Sequence, residues 1–401
     1  MISKNKQEKM RVLMIAQSNY NYDARIIRLA TALKNRNINV DVICLRYEGQ
    51  NSYDIVNGVN IYRIMKNFSQ ESILSYVLGS LIFMLLSLFK AIKLELDNKY
   101  NLVHVHNMPD YLVFSAAMHK LKRVPVILDI HDLTVELFKE KWSEKKFNRF
   151  KHILKFSEKL SCSFADRVLT VTKECVDNLV QRGIPKEKIT LIMNSADESQ
   201  FTFSDQRFNR NGTGNFRLVY HGTIAPRFGL HFIINAMPHI LKAIPGAELH
   251  FYGSYRSEYA NEIREKVRTL GIENAVIFNH HIPYNQVNDM IKEYDMGVVT
   301  YEQTEYMNLA MPTKAGEYAL TGLPFIISDM ISVRSVFSEN SVKYVDPEDP
   351  ISIAESIIRM KSDVEKRKQM ALSALEDMKR ISWNVMKNKY LDLVYSLTHY
   401  K

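Results

Sequence analysis

The sequence is poor in cysteine and carries no convincing leader, repeat or low-complexity block. Its three cysteines, Cys44, Cys162 and Cys175, are odd in number and widely spaced. We therefore expect no disulfide framework, no metal site, and a reducing compartment. The lysines near the start precede only a short apolar run, Val12 to Ala16, which predicts a first strand rather than a signal peptide. These absences favour a cytoplasmic protein.

The net charge of +9 favours either nucleic acid or an anionic membrane as a partner. The basic residues are densest around the stretch from Phe138 to Phe156, where they alternate with Trp142 and several phenylalanines. Because this stretch lacks glycines and stacking platforms, and no nucleic-acid motif is present, we expect no nucleic-acid partner. It predicts docking on an anionic membrane surface, although a solvated face over a core stripe is the ordinary alternative.

A second stretch, Ile73 to Phe89, contains no charged residue. Its length is at the lower limit for a membrane span, and Ser75, Gly79 and Ser80 interrupt it. We interpret it as a helix that packs on a sheet and touches the membrane surface, not as a span.

The length of 401 residues and the 46% hydrophobic content predict two domains with ordinary cores. Continuous apolar runs alternate with helical patterns in both halves, which is typical of doubly wound parallel α/β sheets. We place the first domain at residues 1–202, a polar linker at 203–215 and the second domain at 216–381. Two such domains would face each other across a cleft at the carboxyl ends of their strands.

The segment from Ala310 to Ser328 carries the strongest chemical signal. A proline turn opens a short helix with Lys314 and Glu317, and Gly322 ends it. A helix N-terminus and a lysine suit a phosphate, and Glu317 can accept hydrogen bonds from ribose hydroxyls. A capped surface helix with solvated charges is the alternative.

Several motifs share this order with a known family. They are Asp23-Ala24-Arg25, His104-Val105-His106, His131-Asp132, Asn194 to Asp197 with Phe201, His221-Gly222-Thr223 with Arg227 to Leu230, the segment above, and Ser382-Trp383 with Tyr390 and Tyr395. Together they resemble the retaining glycosyltransferases of family 4, of the group 1 type, which have the GT-B fold. The resemblance implies that residues 382–401 form a helix that packs back on the first domain.

The resemblance also implies roles for individual residues. His131 becomes the candidate catalytic contact to the donor sugar, and no protein nucleophile is assigned. The implied donor-binding residues are Gly222, Thr223, Arg227, Thr313, Lys314 and Glu317. Asp23, Arg25 and His106 are the candidate acceptor-binding residues, although Asp23 and Arg25 could equally form a structural ion pair. We expect at most one of His104 and His106 to reach the cleft.

Three departures from the family pattern stand beside these assignments. Leu309 occupies the place of a glutamate that contacts the donor sugar in relatives. Phe228 lies directly before Gly229, with Arg227 one place earlier than usual. Residues 19–25 stand where many relatives have a glycine pair close to the diphosphate.

The expected function is a metal-independent retaining glycosyltransferase in cell-surface polysaccharide synthesis, such as that of capsule, exopolysaccharide or lipopolysaccharide. It would use a nucleotide-diphosphate-sugar as substrate, need no cofactor, and act on a glycan or lipid-linked glycan at the inner face of the membrane. The alternatives are a nucleotide-sugar epimerase of the same fold and a non-catalytic nucleotide-sugar-binding partner of a polysaccharide complex.

Overall fold

The chain forms two compact α/β units. The computed structural model describes residues 9–68, 72–209 and 215–399. The first unit comprises the described residues up to Met193 together with those from Lys387 onward, and the second extends from Asn194 to Met386. The first unit is therefore built from two separate stretches of chain.

An eight-stranded sheet forms the centre of the first unit. Its strands are β1 (Arg11–Ala16), β2 (Asn39–Arg46), β3 (Tyr53–Val56), β4 (Val59–Lys66), β5 (Leu102–His106), β6 (Val126–Ile130), β7 (Arg167–Thr170) and β8 (Ile189–Leu191). Their order is β3-β4-β2-β1-β5-β6-β7-β8, and every neighbouring pair is parallel except the β3–β4 hairpin. Strands β5 and β6 are buried along their whole length, as a sheet covered on both faces requires.

Helices connect these strands. They are α1 (Ala24–Lys34), α2 (Ile73–Asp97), α3 (Ala117–Leu121), α4 (Thr134–Lys141), α5 (Glu144–Phe164) and α6 (Lys173–Gln181). The side chain of Asp23 caps α1 by accepting a hydrogen bond from the Ile26 amide. Helix α2 continues eight residues beyond the uncharged run that predicted it, because Ala91, Leu94 and Glu95 keep its inner face buried to the end.

The second unit contains a six-stranded parallel sheet. Its strands are β9 (Phe216–His221), β10 (Ala247–Gly253), β11 (Val276–His280), β12 (Met296–Val299), β13 (Phe325–Ser328) and β14 (Lys343–Val345), in the order β11-β10-β9-β12-β13-β14. Its helices are α7 (Leu230–Ala243), α8 (Glu258–Thr269), α9 (Tyr284–Lys292), α10 (Thr313–Thr321), α11 (Ile331–Arg334), α12 (Pro350–Ser362) and α13 (Val364–Lys379). A last helix, α14 (Trp383–His399), begins in the second unit and ends in the first.

The domain boundary differs from the prediction. The chain leaves the first unit at Met193, nine residues before the predicted end at 202. Residues 203–209 of the predicted linker belong to the second unit, where the buried Arg207 guanidinium donates to the Tyr294 carbonyl at 2.6 Å. Polar composition misled the prediction, because this arginine is satisfied by backbone carbonyls rather than by water. Residues 210–214 lie outside the described residues.

Candidate active site

A cavity of about 490 Å³ opens in the second unit where β9 ends and α10 begins. All six residues predicted to bind the donor line it: Gly222, Thr223, Arg227, Thr313, Lys314 and Glu317. We call it the donor cavity. Its volume lies in the range of about 300–1,000 Å³ that small-ligand sites occupy. The carboxyl end of β9 supplies one wall and the N-terminus of α10 another, which is where ligands bind in parallel α/β sheets.

Lys314 is the buried cation of the donor cavity. Its ammonium donates a hydrogen bond to the Tyr301 hydroxyl at 2.8 Å and lies 4.1 Å from the centre of the Tyr220 ring. The Phe228 and Tyr301 rings are also within cation–π range. Burial lowers the pKa of Lys314 to about 7, although Glu317 opposes this shift. A diphosphate in the cavity would therefore meet a lysine whose charge depends on pH near neutrality.

Glu317, one turn into α10, is held by the side chain of His221. Its carboxylate is 2.5 Å from Nε2 of His221, and Nδ1 of His221 is 3.2 Å from the Tyr318 hydroxyl. That hydroxyl donates in turn to the Val219 carbonyl at 3.1 Å. One carboxylate edge is thus fixed by the protein, while Glu317 still lines the cavity. This arrangement leaves oxygen lone pairs for hydroxyl groups of a ligand.

The turn after β9 brings Arg227 to the rim of the donor cavity. Gly229 follows with a φ of 60°, and a Cβ there would stand 1.7 Å from the Thr300 carbonyl oxygen. Only glycine fits this position, so the residue fixes the path of the turn. Arg227 lies within a short 3-10 helix, is exposed, and stacks its guanidinium 4.9 Å from the Phe228 ring. A planar guanidinium held in this way can bind phosphate oxygens in a bidentate manner.

The remaining wall of the donor cavity is largely apolar. Tyr306, Met307, Ala310 and Met311 line it, before Pro312 introduces α10. Leu309, which replaces the expected glutamate, lies in a 3-10 turn and is not among the lining residues. Among the described residues, no carboxylate side chain lines this wall in place of the missing glutamate.

In the first unit, His131 stands at the carboxyl end of β6. It is half-buried, and its backbone amide donates a hydrogen bond of 3.1 Å to the side-chain oxygen of Asn107. Its Nδ1 atom is buried and has no hydrogen-bond partner among the described residues. The histidine is therefore positioned by its backbone, and its ring remains available for a ligand.

Two of the predicted acceptor residues are buried in an ion-pair network instead. Arg25 makes a bidentate pair with Asp129, with both N–O distances at 2.7 Å, and donates to the Ile192 carbonyl at 2.9 Å. His106 contacts the same carboxylate at 3.0 Å and is completely buried. Both side chains are thus engaged inside the first unit, and their acceptor role stays a prediction that this burial does not favour. Asp23 is half-buried and caps α1, which is a structural role.

His104 and His106 lie on the same face of β5. Their ring centres are only 4.1 Å apart, because residues two positions apart on a strand share one face. His104 is buried and shares a hydrogen bond of 3.0 Å with the Tyr390 hydroxyl of α14. Neither histidine reaches the surface, which is consistent with the expectation that at most one would reach the cleft.

Electrostatics explain why this network is stable without solvent. Burial alone would raise the pKa of the Asp129 carboxyl, but Arg25 and His106 hold it well below its usual range. Burial also lowers the pKa of His104 well below its ordinary value. The ligand atoms of His104, His106 and Asp129 lie within 4.8 Å of one another. They do not suit a cation, because the Arg25 guanidinium already occupies both carboxylate oxygens.

Sequence reasoning missed the aromatic residues that hold Lys314. Tyr220 and Tyr301 come from the ends of two different strands, and Tyr301 precedes Lys314 by thirteen residues. Two neighbouring strands of a parallel sheet bring such residues together at one edge, but no local sequence motif predicts which residues these are. His221 was recognised as part of a motif, but the sequence did not show that it pairs with Glu317.

Comparison with known proteins assigns both units. Residues 24–200 match the family model Glycosyltransferase Family 4, and residues 215–363 match the model Glycosyl transferases group 1. Together, the two matches support a GT-B glycosyltransferase of the group 1 type. The second match contains the whole donor cavity, and the first contains His131 and the Arg25–Asp129 pair.

Individual relatives of this glycosyltransferase are distant. The D-inositol 3-phosphate glycosyltransferase of Thermomonospora curvata is 20% identical over 390 residues, which cover 92% of this chain and 88% of that protein. Sucrose-phosphate synthase from Thermosynechococcus elongatus superposes with a TM-score of 0.75 at 16% identity, over 98% of this chain and 100% of that one. Anabaena HepE in complex with UDP-glucose gives 0.72 at 16% identity, over 96% and 100%. These likenesses confirm the predicted GT-B fold.

Proposed function

We propose that this glycosyltransferase transfers a sugar, with retention of configuration, from a nucleotide-diphosphate-sugar to a glycan or lipid-linked glycan of the cell surface. The observation that carries the proposal is the donor cavity, in which one buried lysine, one rim arginine and one carboxylate meet at a helix N-terminus. The anionic diphosphate would bind at the positive groups, and Glu317 would accept hydrogen bonds from ribose hydroxyls.

The chemistry of transfer requires stabilisation of a departing diphosphate. Lys314, Arg227 and the amide groups that begin α10 would provide the positive field for that step, so the proposal needs neither a metal nor a cofactor. His131, whose ring nitrogen has no partner among the described residues, would contact the transferring sugar. We assign no protein nucleophile.

The donor class is the first thing to measure. Binding of UDP, GDP, dTDP and ADP is measured by calorimetry. UDP is tested first, because the HepE structure contains UDP-glucose. We expect one nucleotide to bind, and Arg227→Ala to weaken it by about 10- to 100-fold, since a hydrogen bond to a charged group contributes about 1.5–3 kcal/mol. Arg359→Ala is the matched control, because Arg359 is exposed and does not line the donor cavity. Absence of binding by all four nucleotides would reject the donor cavity.

Transfer itself is tested by donor consumption with and without membrane lipid extract. A transferase should release nucleotide diphosphate only when an acceptor is present, and the product should keep the anomeric configuration of the donor in its proton NMR spectrum. Conversion of the donor without acceptor would instead identify an epimerase. Tight nucleotide binding without any turnover would favour a non-catalytic binding partner.

We also propose that the protein acts in the cytoplasm, at the inner face of the membrane. Seven of the lysine and arginine side chains in α4 and α5 are exposed, and we call them the basic surface: Lys139, Lys141, Lys145, Lys146, Arg149, Lys155 and Lys159. Their attraction to anionic lipid would concentrate the enzyme where a lipid-linked acceptor lies.

A further inference from the structure

The outward face of α2 is apolar and largely uncovered. Its exposed side chains are Leu74, Val77, Leu78, Leu81, Ile82, Leu85, Leu86 and Phe89. They recur at intervals of three and four residues, so they form one continuous stripe about 22 Å long. We call it the outer stripe. Contiguous exposed apolar surface of this size marks an interaction site.

The opposite face of α2 packs on the first unit. Phe83 and Ala91 are fully buried, and the buried Ser80 hydroxyl accepts a hydrogen bond of 2.9 Å from Gln17. By length and composition alone α2 could span a bilayer, and only 22% of its most apolar segment is buried in the protein. A helix with one packed face and one apolar outer face suits the plane of a membrane surface.

Helix α5 repeats this pattern beside the basic surface. Ile153, Phe156 and Leu160 are 62%, 65% and 47% exposed and lie on one side of the helix. Positive charge next to exposed apolar side chains is complementary to an anionic bilayer, whose headgroups attract the lysines while its interior accepts the apolar groups. A protein partner would have to match both features, whereas a lipid surface does so by its nature.

An apolar cavity of about 530 Å³ joins the two helices. Val77 of α2 and Ile153 of α5 line it and are also exposed, so its mouth is continuous with the outer stripe and with the α5 face. Leu137, Phe138 and Trp142 line its interior. Its volume suits a small ligand, and its lining suits a hydrocarbon chain.

The apolar cavity also reaches the carboxyl end of the first sheet. Met108 to Tyr111, which follow β5, and Thr134, which follows β6, both contribute to its wall. Asn107 links this wall to the candidate catalytic residue: its amide nitrogen donates to Asp110 at 2.9 Å, and its oxygen accepts from the His131 amide. A chain bound in the cavity would therefore place its polar end near His131.

We propose that this cavity holds the hydrocarbon chain of the membrane lipid that carries the acceptor, while α2 and α5 lie in the surface of an anionic bilayer. The proposal rests on the proposed function for the identity of the acceptor. It explains why an α/β domain leaves a long apolar helix face uncovered. It also makes the lipid tail, rather than the sugar alone, a determinant of acceptor choice.

Membrane contact is tested by co-sedimentation with phosphatidylcholine vesicles, with and without phosphatidylglycerol. We expect the wild type to bind the anionic vesicles, and Leu78→Glu/Leu85→Glu to bind at least tenfold less. Ile351→Glu is the matched control, since Ile351 is an exposed apolar residue of the second unit. Equal binding by wild type and double variant would overturn the proposal. So would a wild-type dimer that ignores vesicles and dissociates in the double variant, because the stripe would then cover a second copy.

Chain binding is tested through Trp142, one of only two tryptophans. Dodecyl phosphate should change the tryptophan fluorescence of the wild type, inorganic phosphate should not, and Trp142→Phe should lose the response. Ile153→Asp, at the exposed mouth, should weaken dodecyl phosphate binding at least tenfold. No response in the wild type, or an unchanged affinity in Ile153→Asp, would overturn the cavity assignment. Calorimetry of nucleotide binding on the same proteins separates this failure from failure of the donor cavity.

Discussion

Donor binding should take up protons near neutral pH, because Lys314 is buried among aromatic rings. Its pKa in the free protein is about 7, so about half of the molecules carry a neutral lysine at pH 7 and about nine in ten do so at pH 8. A bound diphosphate favours the charged form and raises this pKa. Binding at pH 7 should therefore take up about half a proton per site, and above pH 7 the Kd should rise up to about tenfold per pH unit.

The sign of this effect follows from the direction of the shift. The affinity is fully present below pH 7, where Lys314 is already charged, and falls as the pH rises through 7. Calorimetry of the tightest-binding nucleotide-sugar in Tris and in PIPES measures the uptake directly, because the two buffers release different heats per proton. The sugar-linked diphosphate has no terminal phosphate that titrates in this range.

Lys314→Arg is the matched control, since a guanidinium stays charged when buried here. If this variant binds the donor, its proton uptake should disappear and its affinity should be level between pH 6.5 and 8.5. The reasoning is refuted if the wild type shows no buffer dependence, or if wild type and Lys314→Arg take up the same number of protons.

Three further predictions concern stability, measured by urea unfolding. Arg25→Met should lower the free energy of unfolding by about 3–5 kcal/mol at pH 7, because it leaves the Asp129 carboxylate buried without its main partner. Trp142 fluorescence follows this unfolding, and Arg25→Met/Asp129→Leu should recover most of the lost stability. A double variant as unstable as the single variant would contradict this. Gly229→Ala should cost about 1–3 kcal/mol and weaken nucleotide binding, because its backbone is left-handed and its Cβ meets a carbonyl; unchanged stability and affinity would contradict it. Tyr390→Phe should cost about 1 kcal/mol through the lost hydrogen bond to a buried histidine, and no measurable loss would contradict that contact.

The donor cavity could be predicted from the sequence where its parts are local. Thr313, Lys314 and Glu317 share one helical turn, and Pro312 and Gly322 mark the ends of that helix, so residue spacing alone carries the geometry. Arg227 is placed by a glycine whose left-handed conformation is also local. The aromatic residues around Lys314 come from separate strands. The order of those strands in the sheet cannot be predicted from any single segment of the sequence.

The buried partner of Arg25 was missed for the same physical reason. Arg25 and Asp129 are 104 positions apart, and their pairing depends on where α1 lies against the sheet. An arginine in the first turn of a helix can be interpreted as a ligand contact until its buried partner is known. The basic stretch of residues 138–156 folds as the end of α4 and the first part of α5, with Trp142 between the two helices.

Helix α14 has a consequence for the order of folding. The second unit is one continuous stretch, Asn194 to Met386, whereas the first unit is completed by residues 387–399. Tyr390 and Val394 of that stretch are fully buried, so without it His104 would lose its hydrogen-bond partner and the core would be open. During synthesis, residues 387–399 emerge only after the whole second unit. The first unit is therefore the first to begin synthesis and the last to be completed. Until residues 387–399 have been made, its apolar helix α2 belongs to a unit with an incomplete core.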